Sequence, residues 1–176
     1  MDRGNHYELA FAAYLRHQRL TYVAVDESRR AQMTDGNTIK SLDFIVHGTN
    51  GARLLIDIKG RRFPGGTRKS KVWQNWSTEE DIIGLLKWEE RFGPGYQGLL
   101  VFNYELSADV KLPPGTLDEW THQERRYLLR AVPARLYRQY KRTRSPKWGT
   151  VGLPTAIYRA IVKPISAYTR PQAVPV

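Results

Sequence analysis

The chain contains no cysteine in 176 residues. That excludes disulfides, thiolate catalysis and cysteine-ligated zinc or iron–sulfur centres. No apolar run approaches the length of a membrane-spanning helix. The opening residues, MDRGNHYELAF, bring in acid early and carry no apolar signal-peptide segment, so the expected location is the cytoplasm. There are only four histidines, His6, His17, His47 and His122, and none has metal-ligand spacing to another. Acid is also scarce. The 17 Asp and Glu stand against 28 Lys and Arg, giving a net charge of +11. Such a balance favours a polyanionic partner, most simply nucleic acid.

What is present is otherwise ordinary for a soluble globular chain: 41% hydrophobic and 26% charged residues. The length suits one domain with a modest appendage. The positive charge is localised. From Lys59 to Lys71 there are six basic residues and no acid, and from Arg125 to Lys147 nine basic residues and no acid. Two acid-free runs in one small chain point to a phosphate-facing surface.

The element signals run in a definite order. Residues 5–18 read as a helix of good formers. Residues 20–27, rich in β-branched and aromatic side chains, read as a strand, followed by the turn signal Asp35-Gly36-Asn37. Residues 42–47 and 52–59 read as two strands joined by the hairpin turn Gly48–Gly51. A basic loop is expected from Gly60 to Trp76. Ser77-Thr78-Glu79-Glu80 reads as a capping box, with Ser77 at the N-cap and Glu80 at N3. Its helix is expected to end at Gly93-Pro94. Residues 97–104 give a fourth strand, 105–124 an irregular connection and 125–132 a fifth strand. A basic helix is expected over 134–142, and a short one near 154–163. The order gives an α/β fold around a mixed sheet. Residues 1–104 are expected to form the core, with 105–176 as a basic extension packed on it.

Strand parity then brings chemistry together. Side chains alternate along a strand, so Asp57 and Lys59 share one face while Ile56 and Ile58 share the other. The Gly48–Gly51 turn folds the preceding strand back, which sets Asp43 near the level of residues 56–58. On the first helix, Glu8 shares a face with Phe11, Ala12 and Leu15 and is expected to point at the sheet. Three carboxylates held together repel one another and pay desolvation. A hard divalent cation, Mg²⁺ or Mn²⁺, relieves both costs. Lys59 beside such a site can orient an attacking water, help to deprotonate it, or counter charge on a phosphate.

This arrangement resembles the PD-(D/E)xK nuclease superfamily, whose fold is restriction-endonuclease-like. The resemblance rests on Asp43 and Asp57-Ile58-Lys59, fourteen residues apart, in the order helix-strand-strand-strand-helix-strand. The opening Gly4-x-x-x-Glu8 is similar to the Holliday-junction-resolvase and RecB-type branches. The resemblance covers about residues 4–104. It implies that Asp43 and Asp57 are metal ligands, that Glu8 is a ligand directly or through water, that the Ile58 carbonyl is a further ligand, and that Lys59 is the catalytic lysine. One departure is that Leu42, not proline, precedes Asp43.

The function expected from these residues is metal-dependent hydrolysis of nucleic-acid phosphodiesters, with DNA preferred because of the resemblance. Arg61, Arg62, Arg68, Lys69 and Lys71 are expected to contact nucleic acid beside the acidic site. Trp73 and Trp76 are read either as base-stacking groups or as core. In the basic helix, Arg135, Arg138 and Arg142 fall on one stripe that can follow a phosphate backbone. The string from Gly60 to Thr67 is a near miss for a phosphate loop, since Gly66 stands where lysine is needed. The alternatives are a non-catalytic nucleic-acid-binding module on the same fold and a basic assembly protein. Whether two copies form a homodimer is left open by the sequence.

Overall fold

The computed structural model describes residues 5–26, 31–32, 38–65 and 71–171. In chain order the elements are α1 (His6–His17), β1 (Thr21–Ala24), β2 (Ala31–Gln32), β3 (Thr38–Ile39), β4 (Phe44–His47), β5 (Arg53–Phe63) and β6 (Ser77–Thr78). Next come α2 (Glu79–Phe92), β7 (Tyr96–Leu106), β8 (Glu119–His122), β9 (Arg125–Pro133) and α3 (Ala134–Tyr140). The chain continues with β10 (Arg142–Ser145), β11 (Thr150–Gly152), α4 (Thr155–Ile161), β12 (Lys163–Pro164) and α5 (Ser166–Thr169). Gly4, the Asp35–Asn37 turn, Arg68 and Lys69 lie outside the described residues. Among the described residues, no helix is long and apolar enough to cross a membrane.

The main sheet has the order β1-β4-β5-β7-β9-β12, with β8 also paired to β9. β4 and β5 are antiparallel, β5 and β7 parallel, β7 and β9 antiparallel. The parallel pair needs a crossover, and α2 supplies it. Along β5, Leu54, Ile56 and Ile58 pack with Phe11, Tyr14 and Leu15 of α1 on one face. Leu55 packs with Ile82 and Leu85 of α2 and Tyr137 of α3 on the other. Burial on both faces explains the almost unbroken apolar run in β5. Each fully buried Leu, Ile or Phe contributes about 1.5–3 kcal/mol relative to exposure.

Several boundaries differ from those expected. β5 does not end at Lys59. It continues to Phe63, because β7 offers a partner in register all the way from Arg53↔Tyr96 to Phe63↔Leu106. Arg61 and Arg62 are therefore strand residues, not loop residues. The connection 105–124 is interrupted by β8, whose Glu119–His122 pair with β9. The basic helix stops at Tyr140, so Arg142 belongs to β10 and the stripe of three arginines is broken. The cap of α2 is Thr78, not Ser77. The Thr78 hydroxyl accepts from the Asp81 N–H at 3.1 Å, and Asp81, not Glu80, returns the bond to the Thr78 N–H. Gly93 ends this helix as expected, with φ +89.

Candidate active site

The β4–β5 ladder reaches Phe44↔Ile56, closes with the Asp43 N–H on the Ile56 carbonyl at 2.9 Å, and stops. Beyond this point β5 runs on while the chain on the β4 side turns away. The N–H of Ile58 is left without a ladder partner, and the Asp43 carboxylate accepts it at 2.5 Å. In an extended strand the N–H and C=O of one residue project to the same side. The Ile58 carbonyl therefore faces the same gap. A pocket of about 190 Å³ opens there, lined by Asn5, Glu8, Lys40, Ser41, Asp43, Asp57, Ile58 and Lys59.

Each wall has a local cause. Asn5 caps α1, its side chain accepting from the Glu8 N–H at 3.3 Å, which sets Glu8 at the third helical position. The Asn103 amide, on β7, donates to the Tyr7 carbonyl at 2.9 Å and ties the first turn of α1 to the sheet. Gly60 permits the approach. A β-carbon there would stand 2.1 Å from the Tyr7 ring. Asp43 and Asp57 are both 6% exposed.

The charged groups form a chain across the pocket. Lys59 Nζ lies 2.9 Å from Asp57 Oδ1 and 2.8 Å from Asp81 Oδ2. Asp81 also pairs with Lys40 and accepts the Ser77 hydroxyl at 2.9 Å. Burial opposes the Asp81 charge, but Lys59 and Lys40 together hold its carboxyl well below the usual range. Burial pushes the Asp57 carboxyl up, and the Asp81 charge adds to this while Lys59 opposes it. Burial also works against the Lys59 charge, yet the two carboxylates win and raise its pKa. The two carboxylates thus favour the ammonium form of Lys59.

The structure brings Glu8, Asp43, Asp57, Ile58 and Lys59 to one pocket. Asp81 and Lys40 were not anticipated from sequence. Asp81 lay hidden in a helix-capping pattern, and its signal was an acid at the start of the crossover helix behind the third strand. The basic residues are dispersed. Arg61 is half-buried, donating to the Gly60 and Trp76 carbonyls with its guanidinium 3.9 Å from the Trp76 ring. Arg62 is exposed and 3.6 Å from Glu105. Lys71 and Arg138 are exposed, and Arg135 pairs with Glu89 at 2.6 Å. Trp73 stacks on Phe63 at 3.5 Å, so one of its faces is already covered.

No family model matches the chain, and no curated protein matches it in sequence. A solved structure does match. The Holliday junction resolvase Hjc of Archaeoglobus fulgidus, an archaeal hyperthermophile, superposes with a TM-score of 0.53 at 15% identity, covering 93% of this chain and 98% of that one. The chain has a restriction-endonuclease-like fold. In this restriction-endonuclease-like sheet, the pocket lies where β5 outruns its hairpin partner β4. A match over 93% of the chain is not confined to residues 1–104.

A divalent cation is the group that the sequence resemblance implies, and the donors agree with it in kind. Glu8, Asp43, Asp57 and the Ile58 carbonyl are all hard oxygens, suited to Mg²⁺ or Mn²⁺. In the present arrangement Asp57 is engaged by Lys59. Among the described residues, no three His, Asp or Glu side chains are grouped closely enough to hold an ion.

Proposed function

We propose that this protein is a divalent-metal-dependent nuclease that hydrolyses phosphodiester bonds in DNA. The observation that carries the reading is the pocket at the open edge of β5, lined by Glu8, Asp43, Asp57 and Lys59, on a restriction-endonuclease-like fold. DNA is preferred because the structural relative is named as a Holliday junction resolvase. The net charge of +11 supports a polyanionic substrate.

In this reading Glu8, Asp43, Asp57 and the Ile58 carbonyl would hold the cation, with Asp57 turning from Lys59 toward it. Once bound, Mg²⁺ or Mn²⁺ supplies Lewis acidity to the phosphate and lowers the pKa of a water. The Ile58 N–H fixes the Asp43 carboxylate, so its orientation does not depend on the ion. Lys59 donates toward a non-bridging phosphate oxygen or the attacking water, and Asp81 and Asp57 set its position. Lys40 offsets the charge of Asp81 from the opposite side. Residues 105–176, with most of the excess positive charge, supply part of the phosphate-binding surface.

The test is a cleavage panel. Purified protein is offered supercoiled plasmid, linear duplex, single strands, branched junctions and RNA, each with Mg²⁺, with Mn²⁺ and with EDTA. Cleavage of DNA that EDTA abolishes is the expected result. No cleavage of any substrate with either metal, despite tight binding, would instead identify a binding module on a nuclease scaffold.

A further inference from the structure

Trp148 is the most exposed large apolar side chain among the described residues, at 71%. A lone exposed tryptophan carries no functional meaning. This one stands at the tip of a hairpin that is basic and firmly mounted. We propose that the β10–β11 hairpin engages an unpaired nucleic-acid strand, with Trp148 stacking on a base and Arg142 and Arg144 holding the neighbouring phosphates. The proposal rests on the nucleic-acid part of the reading above and adds to it the shape of the substrate.

The mounting comes first. β11 pairs with β6 through Thr150↔Thr78 and Val151↔Ser77, and Val151 is buried in the core. The Asn75 side chain holds both the N–H and the carbonyl of Leu153, at 2.8 and 3.1 Å. The Gly149 carbonyl accepts the Glu79 N–H at 2.9 Å, which fastens the turn to the start of α2. The turn itself spans Pro146–Gly149, with Gly149 at φ +58. A side chain this exposed on so fixed a base is presented to something outside the chain.

The surroundings select the partner. A groove of about 630 Å³ runs beside the hairpin, bordered by Trp76, Arg142 and Arg144. Arg144, at the irregularity in the β10–β11 register, lies 5.2 Å from the Trp76 ring, and Arg61 lies 3.9 Å from it. Lys147 sits 5.2 Å from the Trp148 ring, so charge accompanies the aromatic at the tip. Aromatic faces alternating with cations are the pattern that binds single strands, since a duplex keeps its base faces stacked.

The groove and the acidic pocket share no lining residue, and β5 relates them. Arg61 follows Lys59 by two residues on the same face of β5, a separation of about 7 Å. From Arg61, contacts run through the Trp76 ring to Arg144 of the hairpin. In this proposal an unpaired strand seated on the hairpin continues from a duplex, which makes a duplex with an unpaired, splayed end the DNA it favours.

The experiment measures binding in EDTA by fluorescence anisotropy, so hydrolysis plays no part. The full-length protein is offered a fully paired duplex and a duplex of the same paired length with splayed single-stranded arms. Trp148→Ala is expected to weaken binding to the splayed DNA by about tenfold, the loss typical of one stacked base, while leaving duplex affinity nearly unchanged. Trp148→Phe should retain most of the affinity. The Trp148→Ala salt dependence should match the wild type, because no charge is removed. Arg142→Ala with Arg144→Ala should lower the log–log salt slope for single strands by about 0.7 per lost phosphate contact. Unchanged melting temperatures verify folding of the exposed-site variants. The proposal is overturned if Trp148→Ala binds both DNAs as the wild type does, if it weakens both equally, or if the wild type binds neither. Failure of the nuclease reading looks different: no cleavage with metal, while the splayed-arm preference and its loss in Trp148→Ala persist.

Discussion

Lys59 and Asp81 stand 2.8 Å apart although one lies on β5 and the other in the first turn of α2. The contact joins the strand that carries the candidate chemistry to the crossover helix behind it. Asp81 serves this pair, the Lys40 pair and the Thr78 cap together. A carboxylate with so many partners is a structural fastener as well as an electrostatic one.

Asp81→Asn keeps the shape and removes the charge that faces Lys59 and Lys40. It should destabilise the fold by about 3 kcal/mol at neutral pH, the cost typical of breaking a buried pair, less whatever the more exposed Lys40 recovers from water. The Asp81 carboxyl is depressed by its two lysines, so its contribution is present above the ordinary carboxylate pKa of about 4 and is lost as pH falls through the folded value. Denaturation at several pH values should show the gap between variant and wild type closing in acid. A gap independent of pH would mean that the cap, not the charge, is what the variant disturbs.

Asp57→Asn should act in the opposite direction. Burial raises the Asp57 carboxyl, and the Asp81 charge raises it further, so its ionised form costs stability at neutral pH and that cost disappears as pH falls toward the unfolded value. In EDTA the variant should melt at or above the wild-type temperature near pH 7. Mg²⁺ or Mn²⁺ at a hundredfold over Kd should add about 2.7 kcal/mol to the wild type and nothing to the variant. A metal-induced rise that survives the substitution would locate the ion away from this pocket.

Lys59→Ala should separate chemistry from binding. Its ammonium is one of 28 basic groups, so duplex affinity at moderate salt should barely change. Cleavage should fall by about 10²–10⁴-fold, as on loss of a positioned proton-transfer or charge-stabilising group. Vigorous metal-dependent cleavage by a verified Lys59→Ala protein would remove Lys59 from the mechanism.

Gly60→Ala tests how α1 is seated. The added carbon meets the Tyr7 ring at 2.1 Å, and the atoms it meets belong to the body of the ring. The first turn of α1 must shift and take Glu8 with it. A stability loss of about 1–3 kcal/mol is expected from overpacking, along with reduced cleavage. Chemical denaturation and a cleavage assay read the two effects. With Tyr7 already replaced by Ala, Gly60→Ala should cost much less than it does alone, and an equal cost in both backgrounds would point to the strand and not to the helix contact.

Much of the pocket was legible because its determinants are local or have a short period. The alternation in 53–59 assigned Asp57 and Lys59 to one face, and β5 indeed buries Leu55 on that side and Ile56 and Ile58 on the other. The Gly48–Gly51 hairpin brought Asp43 to the level of Ile56. The face shared by Glu8, Phe11 and Leu15 brought the acid to the sheet, because burying Phe11 and Leu15 leaves the helix little choice of rotation.

The rest was decided by partners distant in sequence. Residues 77–81 contain overlapping capping patterns, and local preference does not choose between them. β11 does, by pairing with Ser77 and Thr78, and Lys59 does, by drawing Asp81 inward. The run after Lys59 reads as loop because of Gly60, Pro64 and its charges, yet it is strand to Phe63 because β7 completes its hydrogen bonds. Arg142 left the helical stripe when β11 offered it a ladder. The sequence alone determined the strand periods, the hairpin and the acidic set, since these follow from side-chain alternation and turn chemistry. Only the tertiary structure decided where β5 ends, which acid caps α2 and where the arginines face, because an unsatisfied N–H or carboxylate takes whatever partner the folded chain brings within reach.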